Sequence, residues 1–445
     1  MRDASGSPGS ATLRRVTQLA RRLRLTDAVV IGLGSMIGAG VFAVWAPAAA
    51  AAGGWLFVGL GLAAVVAYCN ATASAQLAAA HPTSGGTYIY AREELNDWWG
   101  FLAGWGFVIG KTASAAAMAL TFAAYLVPPT WWQRPLAALA VLALVVVNYH
   151  GVTRTAALTK VIVALVLAVL AWVVATTWTS WPADAWAAPG GVAPRQAWWS
   201  VAYGVLQSAG MLFFAFAGYA RIATMGEEVI DPRRTIPRAI LLALGGAVVV
   251  YALVGVGVVG AVGTPALATS TAPLVDAVAA AGPDEASWRT QLVRVGGAVA
   301  SLGALLALIA GIGRTSLAMA RHGDLPAPLA AVHPVHQVPH VAEITLGCLV
   351  ATLVLVTDLR GVIGFSSFGV LLYYFVANRS AWTQTGADRR YPRALQGAGM
   401  ALCLLLVATL PWTSVAAGVA VFLVGATYRL LRRRPRPRRR RRGGP

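Results

Sequence analysis

Apolar residues run along this chain in long blocks, separated by short polar stretches rich in arginine, proline and tryptophan. A helix needs roughly 20 such residues to cross a hydrocarbon layer about 30 Å thick. Twelve blocks come close to that length, near 26–51, 55–79, 98–127, 134–150, 156–178, 200–222, 238–262, 289–318, 341–357, 361–381, 393–410 and 412–430. The pair between 134 and 178 is the least cleanly separated. The pattern predicts an all-α polytopic membrane protein with twelve transmembrane helices.

An even number of crossings returns both termini to one side, and the basic residues indicate which. Arg14, Arg15, Arg21, Arg22 and Arg24 precede the first block, and Arg233, Arg234 and Arg238 follow the sixth. Arg389, Arg390 and Arg393 follow the tenth, and RRRPRPRRRRR (432–442) comes near the end of the chain. The alternate loops hold little more than Arg134, Arg195, Arg289, Arg294 and Arg360. The positive-inside rule then places both termini in the cytoplasm of a multi-pass protein of the cell membrane. Trp131, Trp132, Trp178, Trp181, Trp198, Trp199 and Trp412 fall at predicted span ends, where an interfacial aromatic belt belongs.

Composition agrees with this frame. Of 445 residues, 58% are hydrophobic and 11% charged, with a mean hydropathy of +0.67. Cys69, Cys348 and Cys403 all lie within apolar blocks, which argues against a disulfide framework or a thiolate metal site. The basic N-terminal stretch leads into a block too long for a cleavable signal peptide. The net charge of +19 comes largely from the terminal arginine run and the loops on one side, so it reads as an orientation signal and an attraction to anionic lipid. No folded domain accompanies the run, and no nucleic-acid partner is expected. Nothing in the pattern gives residues 432–445 a partner in the fold.

Two blocks carry interruptions. The first contains GLGSMIGAGVF (32–42), with four glycines in nine positions, and each glycine inside a helix costs about 0.5–1 kcal/mol relative to alanine. The sixth contains GMLFFAFAGYARIATMGEEV (210–229), where small residues and aromatics again interrupt the helical pattern near its middle. The two blocks are five apart. Paired interrupted helices in matching places point to a transporter site at the bilayer midplane, between two inverted five-helix repeats. An opened helix presents amide N–H groups at one half-helix N-terminus and carbonyls at the other C-terminus. The N–H end suits a carboxylate and the carbonyl end an ammonium or metal cation. Taken alone, Gly34 to Gly38 is also a GxxxG pattern for close helix packing. A dinucleotide fingerprint is discarded, because no strand precedes it. The division that follows is a basic tail (1–24), a first repeat (25–181), an inverted second repeat (182–388), two C-terminal helices (389–431) and an Arg/Pro-rich tail (432–445).

Several motifs in order carry a resemblance. They are GLGSMIGAGVF, PTSGGTYIYAREEL (82–95), NYHGV (148–152), FFAFAGY followed by GEEVIDPRRTIPRAI (226–240), and MARHGDLP (319–326). With these the chain resembles permeases of the amino acid–polyamine–organocation superfamily from about Leu25 to beyond Arg393. The resemblance implies the 5+5 inverted-repeat fold with two extra helices, and transport of an amino acid or related amine by alternating access. It implies carboxylate contacts on the backbone of Gly38, Ala39 and Gly40. Ammonium contacts fall on carbonyls near Met36, Phe214 and Ala217, beside Gly218, with Phe214 and Phe216 as wall or gate. Two departures stand out. Where many relatives carry an acidic residue after the second break, Tyr219 is followed by Ala220 and Arg221, and where some carry a lysine in span five, a gapless register gives Val166. Lys160 lies closer to the cytoplasmic end and reads as an interfacial snorkelling residue.

Lys111 sits about thirteen residues, or roughly 20 Å, from the nearer end of the third block, too deep to snorkel. Ionisable groups at that depth mark a functional site or an internal partner, and no Asp or Glu lies at the centre of any block. The resemblance places Lys111 where the third helix lines the substrate cavity. It is therefore a candidate both for substrate selection and for coupling; otherwise it is a structural lysine held by carbonyls at a helix break. A fixed charge there favours neutral, or else anionic, amino acids over arginine, lysine and polyamines, whereas an uncharged amine would carry a proton through the cycle. Proton and sodium are the coupling candidates. Glu227, Glu228, Asp231, Arg233 and Arg234 form a charged stretch suited to cytoplasmic salt bridges. The spacing of His322, His333, His336 and His340 does not suggest a metal site, and no cofactor is implied. The expected function is secondary transport of a neutral amino acid. The alternatives are a transporter or exchanger of another amine or acidic amino acid and, in a different class, a membrane receptor or channel. A membrane-embedded enzyme lacks a catalytic cluster at depth.

Overall fold

A computed structural model describes residues 23–83, 85–150, 156–179, 181, 197–282 and 288–432. Arg14, Arg15, Arg21, Arg22, Arg195 and the tail beyond Arg432 lie outside these residues. The first block becomes Leu25–Met36 (α1), Ala39–Ala43 (α2) and Trp45–Ala52 (α3). Leu56–Ala80 (α4), the short Gly86–Glu94 (α5), Asp97–Leu126 (α6), Gln133–Tyr149 (α7) and Ala156–Thr177 (α8) follow. Trp198–Phe216 (α9) and Ala220–Ala223 (α10) fill the sixth block, and Pro232–Val262 (α11) the seventh. Two short helices, Thr264–Thr269 (α12) and Pro273–Ala280 (α13), precede Trp288–Arg321 (α14). His340–Val356 (α15), Leu359–Thr383 (α16), Arg393–Thr409 (α17) and Trp412–Arg432 (α18) complete the chain. Among the described residues the only β pairing is an isolated bridge between Leu23 and Val229.

Nine helical segments among the described residues are long and apolar enough to cross a membrane. Three more (α7, α15 and α17) have 17 residues each, about 25 Å of helix and the lower edge of spanning length. Helix ends follow local chemistry. The Asn96 side chain accepts hydrogen bonds from the amides of Trp98 and Trp99 and starts α6. Asp358 does the same for α16 through Gly361 N. α11 starts well before its apolar block, with Pro232 at its first position and Arg233, Arg234 and Arg238 in its first two turns.

α6 is the central helix. Inside the fold lies 78% of its most apolar window, against 22% for α18, and it packs mainly on α14 and α16. α1 lies on α11 and α8, and α4 on α9 and α11. One end of the bundle is tied together through α5. Tyr90 Oη donates to Ala223 O at 2.9 Å, and Tyr88 Oη donates to Asp324 Oδ2 at 2.9 Å. Arg92 reaches Asp324 at 3.1 Å and Asp97 at 2.5 Å. Arg429, near the end of α18, pairs with Asp324 and donates to Asp97 O at 2.7 Å. Leu23 pairs with Glu228 and Ile230, just after α10, on the same side. The first described residues and the end of α18 thus share one face. Trp131, Trp132, Trp198, Trp199 and Trp412 are exposed at helix ends away from it. One expectation is corrected here. Arg432 does have a partner, since its Nη1 donates to Leu325 O at 2.6 Å. A basic residue at the end of a helix finds carbonyls within its reach, and the composition of the run hid that contact.

Candidate functional site

α1 stops at Met36, where Ile37 N closes the last turn on Leu33 O at 2.7 Å. Gly38 then turns away with φ −61° and ψ −138°, and helix resumes at Ala39. The second interruption differs from the sequence expectation in place and kind. It falls late in the sixth block, as a 3-10 turn at Ala217–Tyr219 between α9 and α10. The turn is tight because Ala217 N bonds Phe214 O.

The two interruptions lie against each other. A Cβ on Gly218 would fall 2.1 Å from Ser35 O, and one on Gly40 would fall 2.9 Å from Ala215 Cα. Real Cβ atoms do not approach backbone so closely, so both positions need glycine for contact between the two opened helices. A Cβ on Gly38 would crowd the Ala304 methyl, at 2.8 Å, and reach the Gly34 and Ala300 carbonyls only at ordinary contact distance.

Opened helices expose carbonyls, and buried carbonyls need donors. Tyr251 on α11 supplies one to both segments: its Oη lies 2.7 Å from Met36 O and 2.9 Å from Ala215 O. A phenol has one proton to donate, so the two carbonyls share it. Lys111 Nζ donates to Ala217 O at 3.2 Å, and Tyr374 Oη on α16 donates to the same oxygen at 3.3 Å. Lys111 is only 8% exposed, and among the described residues no carboxylate lies within ion-pair distance of it. Tyr125 on α6 donates to Phe42 O in α2 at 2.9 Å.

The structure therefore gathers Met36, Gly40, Lys111, Ala217 and Gly218 around one seam. Gly38, between α1 and α2, and Ala39, at the start of α2, lie at its edge. Phe216 is fully buried and packs on Tyr251, with ring centroids 4.9 Å apart. Phe214 is 6% exposed, in the last turn of α9. Sequence reasoning missed the tyrosines. The signal was available, because a broken helix in lipid demands buried donors, and Tyr251 and Tyr374 are hydroxyl-bearing residues deep in apolar blocks.

Elsewhere, Lys160 has a partner in Asp27 at the start of α1, at 2.5 Å. Val166 is buried. In the charged stretch after α10, Arg234 and Asp231 stand 3.9 Å apart, both exposed. His333, His336 and His340 gather around Tyr149, and partial desolvation followed by the neighbouring His336 and His340 lowers the pKa of His333. No three of their donor groups, nor any others among the described residues, are arranged to hold a metal ion.

The fold defines a multi-pass membrane protein whose two opened helices meet at a buried seam. Comparison with known proteins gives the kind. The profile of the family described as amino acid permease matches residues 23–430. An uncharacterized transporter of Mycobacterium tuberculosis is 55% identical over 424 residues, 94% of each chain. The human cationic amino acid transporter 4 is 30% identical over 390 residues, 81% of this chain and 59% of its own. A branched-chain amino acid permease of Bacillus subtilis is 22% identical over 438 residues, 92% of each. The chain belongs to the amino acid permease family, within the amino acid–polyamine–organocation superfamily. It is an amino acid transporter of the membrane.

Proposed function

We propose that the protein carries a neutral amino acid across the cell membrane by alternating access, with both termini cytoplasmic. The twelve helical regions then form two inverted five-helix repeats, 25–181 and 182–388, followed by α17 and α18. The substrate carboxylate lies at the amides of Gly38, Ala39 and Gly40, and its amine at the carbonyl side formed by Met36, Phe214 and Ala217. Three things support this reading: the family, the meeting of the two opened helices, and the positive-inside charge distribution.

The observation that carries the substrate class is Lys111. Its ammonium stands on Ala217 O inside the seam, 8% exposed and without a carboxylate partner among the described residues. A substrate with a cationic side chain would bring a second positive charge close to it. At an effective dielectric near 20, like charges 5–6 Å apart repel by about 3 kcal/mol, roughly a hundredfold in affinity. The name of the human relative favours the opposite class, and that of the Bacillus relative a neutral one. A panel of radiolabelled leucine, alanine, phenylalanine, glutamate, arginine and lysine in proteoliposomes separates them, with proton and sodium gradients imposed in turn. Saturable uptake of the neutral members supports the reading. Uptake confined to arginine and lysine overturns it.

A further inference from the structure

Every carbonyl that the resemblance assigns to a substrate amine already has a partner within the chain. Met36 O accepts the Tyr251 hydroxyl at 2.7 Å, and Phe214 O accepts the amide of Ala217. Ala217 O accepts Lys111 Nζ at 3.2 Å and the Tyr374 hydroxyl at 3.3 Å. A carbonyl oxygen has two lone pairs, so Ala217 O is saturated. An ammonium is a donor only, with three N–H groups and no acceptor. A substrate amine arriving at this seam therefore finds Ala217 O already taken and a like charge beside it.

Lys111 is in the opposite position. Ala217 O is the only acceptor it reaches among the described residues. Two of its three donors are left, on a side chain more than nine-tenths buried. A carboxylate or hydroxyl oxygen carried by a ligand can accept from them.

We infer that Lys111 is a resident ammonium, supplied by the protein at the place the α-amino group would take. The site then accepts monocarboxylates with neutral side chains whether or not they carry that amino group. A 2-hydroxy acid binds with Lys111 still on Ala217 O, its hydroxyl oxygen accepting from Nζ. An amino acid binds by pushing Lys111 off that carbonyl and taking its place. This inference rests on the proposed neutral-substrate site and names a second ligand class for it.

The test compares matched pairs on the purified full chain in nanodiscs. L-leucine is set against (S)-2-hydroxy-4-methylpentanoate, and L-phenylalanine against (S)-3-phenyllactate, with binding measured directly. Each hydroxy acid is expected to bind within tenfold of its amino acid. In Lys111→Met the ratio should move at least tenfold toward the amino acid, because the hydroxy acid loses its donor while Ala217 O gains a free lone pair. Hydroxy acids binding more than a hundredfold more weakly than their amino acids to the unmodified protein would overturn the inference and leave the proposed function standing. An unchanged ratio in Lys111→Met would overturn it equally. If that variant does not insert, the comparison on the unmodified protein still decides. Binding of arginine with neither pair bound would remove the proposed function and the inference with it.

Discussion

Replacing Tyr251 with phenylalanine removes one oxygen and keeps the ring that packs on Phe216 at 4.9 Å. The lost hydroxyl is the shared donor to Met36 O and Ala215 O, at 2.7 and 2.9 Å. Both residues are buried, at 1% and 3% exposure, so bulk water does not replace it. A buried polar group left without a partner costs about 1–3 kcal/mol. Because one proton serves two carbonyls, the expected loss is one such cost, not two. Against a total stability of about 5–15 kcal/mol, that is a large share. Thermal unfolding in detergent, followed by fluorescence-detected size exclusion, should show Tyr251→Phe melting clearly below the unmodified protein. Tyr203→Phe is the control, because Tyr203 is 46% exposed on α9 and should melt unchanged. A Tyr251→Phe protein with unaltered melting would show that the opened helices do not depend on this donor.

The other expectations concern charge and chain ends. Asp324→Asn leaves the 4%-exposed Arg429 side chain without its carboxylate, and breaking a buried pair costs about 3–5 kcal/mol; its melting temperature should fall sharply, while Arg234→Ala, at an exposed pair, should leave melting unchanged. Removal of residues 433–445 should preserve insertion and orientation, read by cysteine accessibility on both faces, whereas truncation before Arg429 should lower stability. Under the fixed-charge reading, the pH dependence of leucine uptake should be the same in Lys111→Met as in the unmodified protein. Loss of that dependence together with loss of proton coupling would make Lys111 a proton carrier instead.

The helices were legible because apolar length is a strong signal: the block at 98–127 became Asp97–Leu126, and 289–318 became Trp288–Arg321. Where polar residues continue a helix, the signal fails, and α11 begins at Pro232, not near 238. Helices α12 and α13, too short to register as blocks, went unread. The first interruption was visible as clustered glycine. The second was visible in composition, and the 3-10 turn at Ala217–Tyr219 falls within the expected stretch but late in the block instead of near its middle. Nor does a glycine reveal what approaches it. A Cβ on Gly40 or Gly218 would fall 2.9 or 2.1 Å from the backbone of the other opened helix, so a bulky Gly40 variant would fail through packing whatever the ligand. Lys111 was conspicuous by its depth. Its acceptor was not, since pairing a side chain on α6 with one carbonyl 106 residues away requires the packing of three helices.

The most direct test of the account is arginine against leucine in proteoliposomes at pH 7, with the unmodified protein and Lys111→Met side by side. Saturable leucine uptake by the unmodified protein is expected, with arginine competing roughly a hundredfold more weakly, together with a clear gain of arginine uptake in Lys111→Met. Avid arginine uptake by the unmodified protein would contradict it.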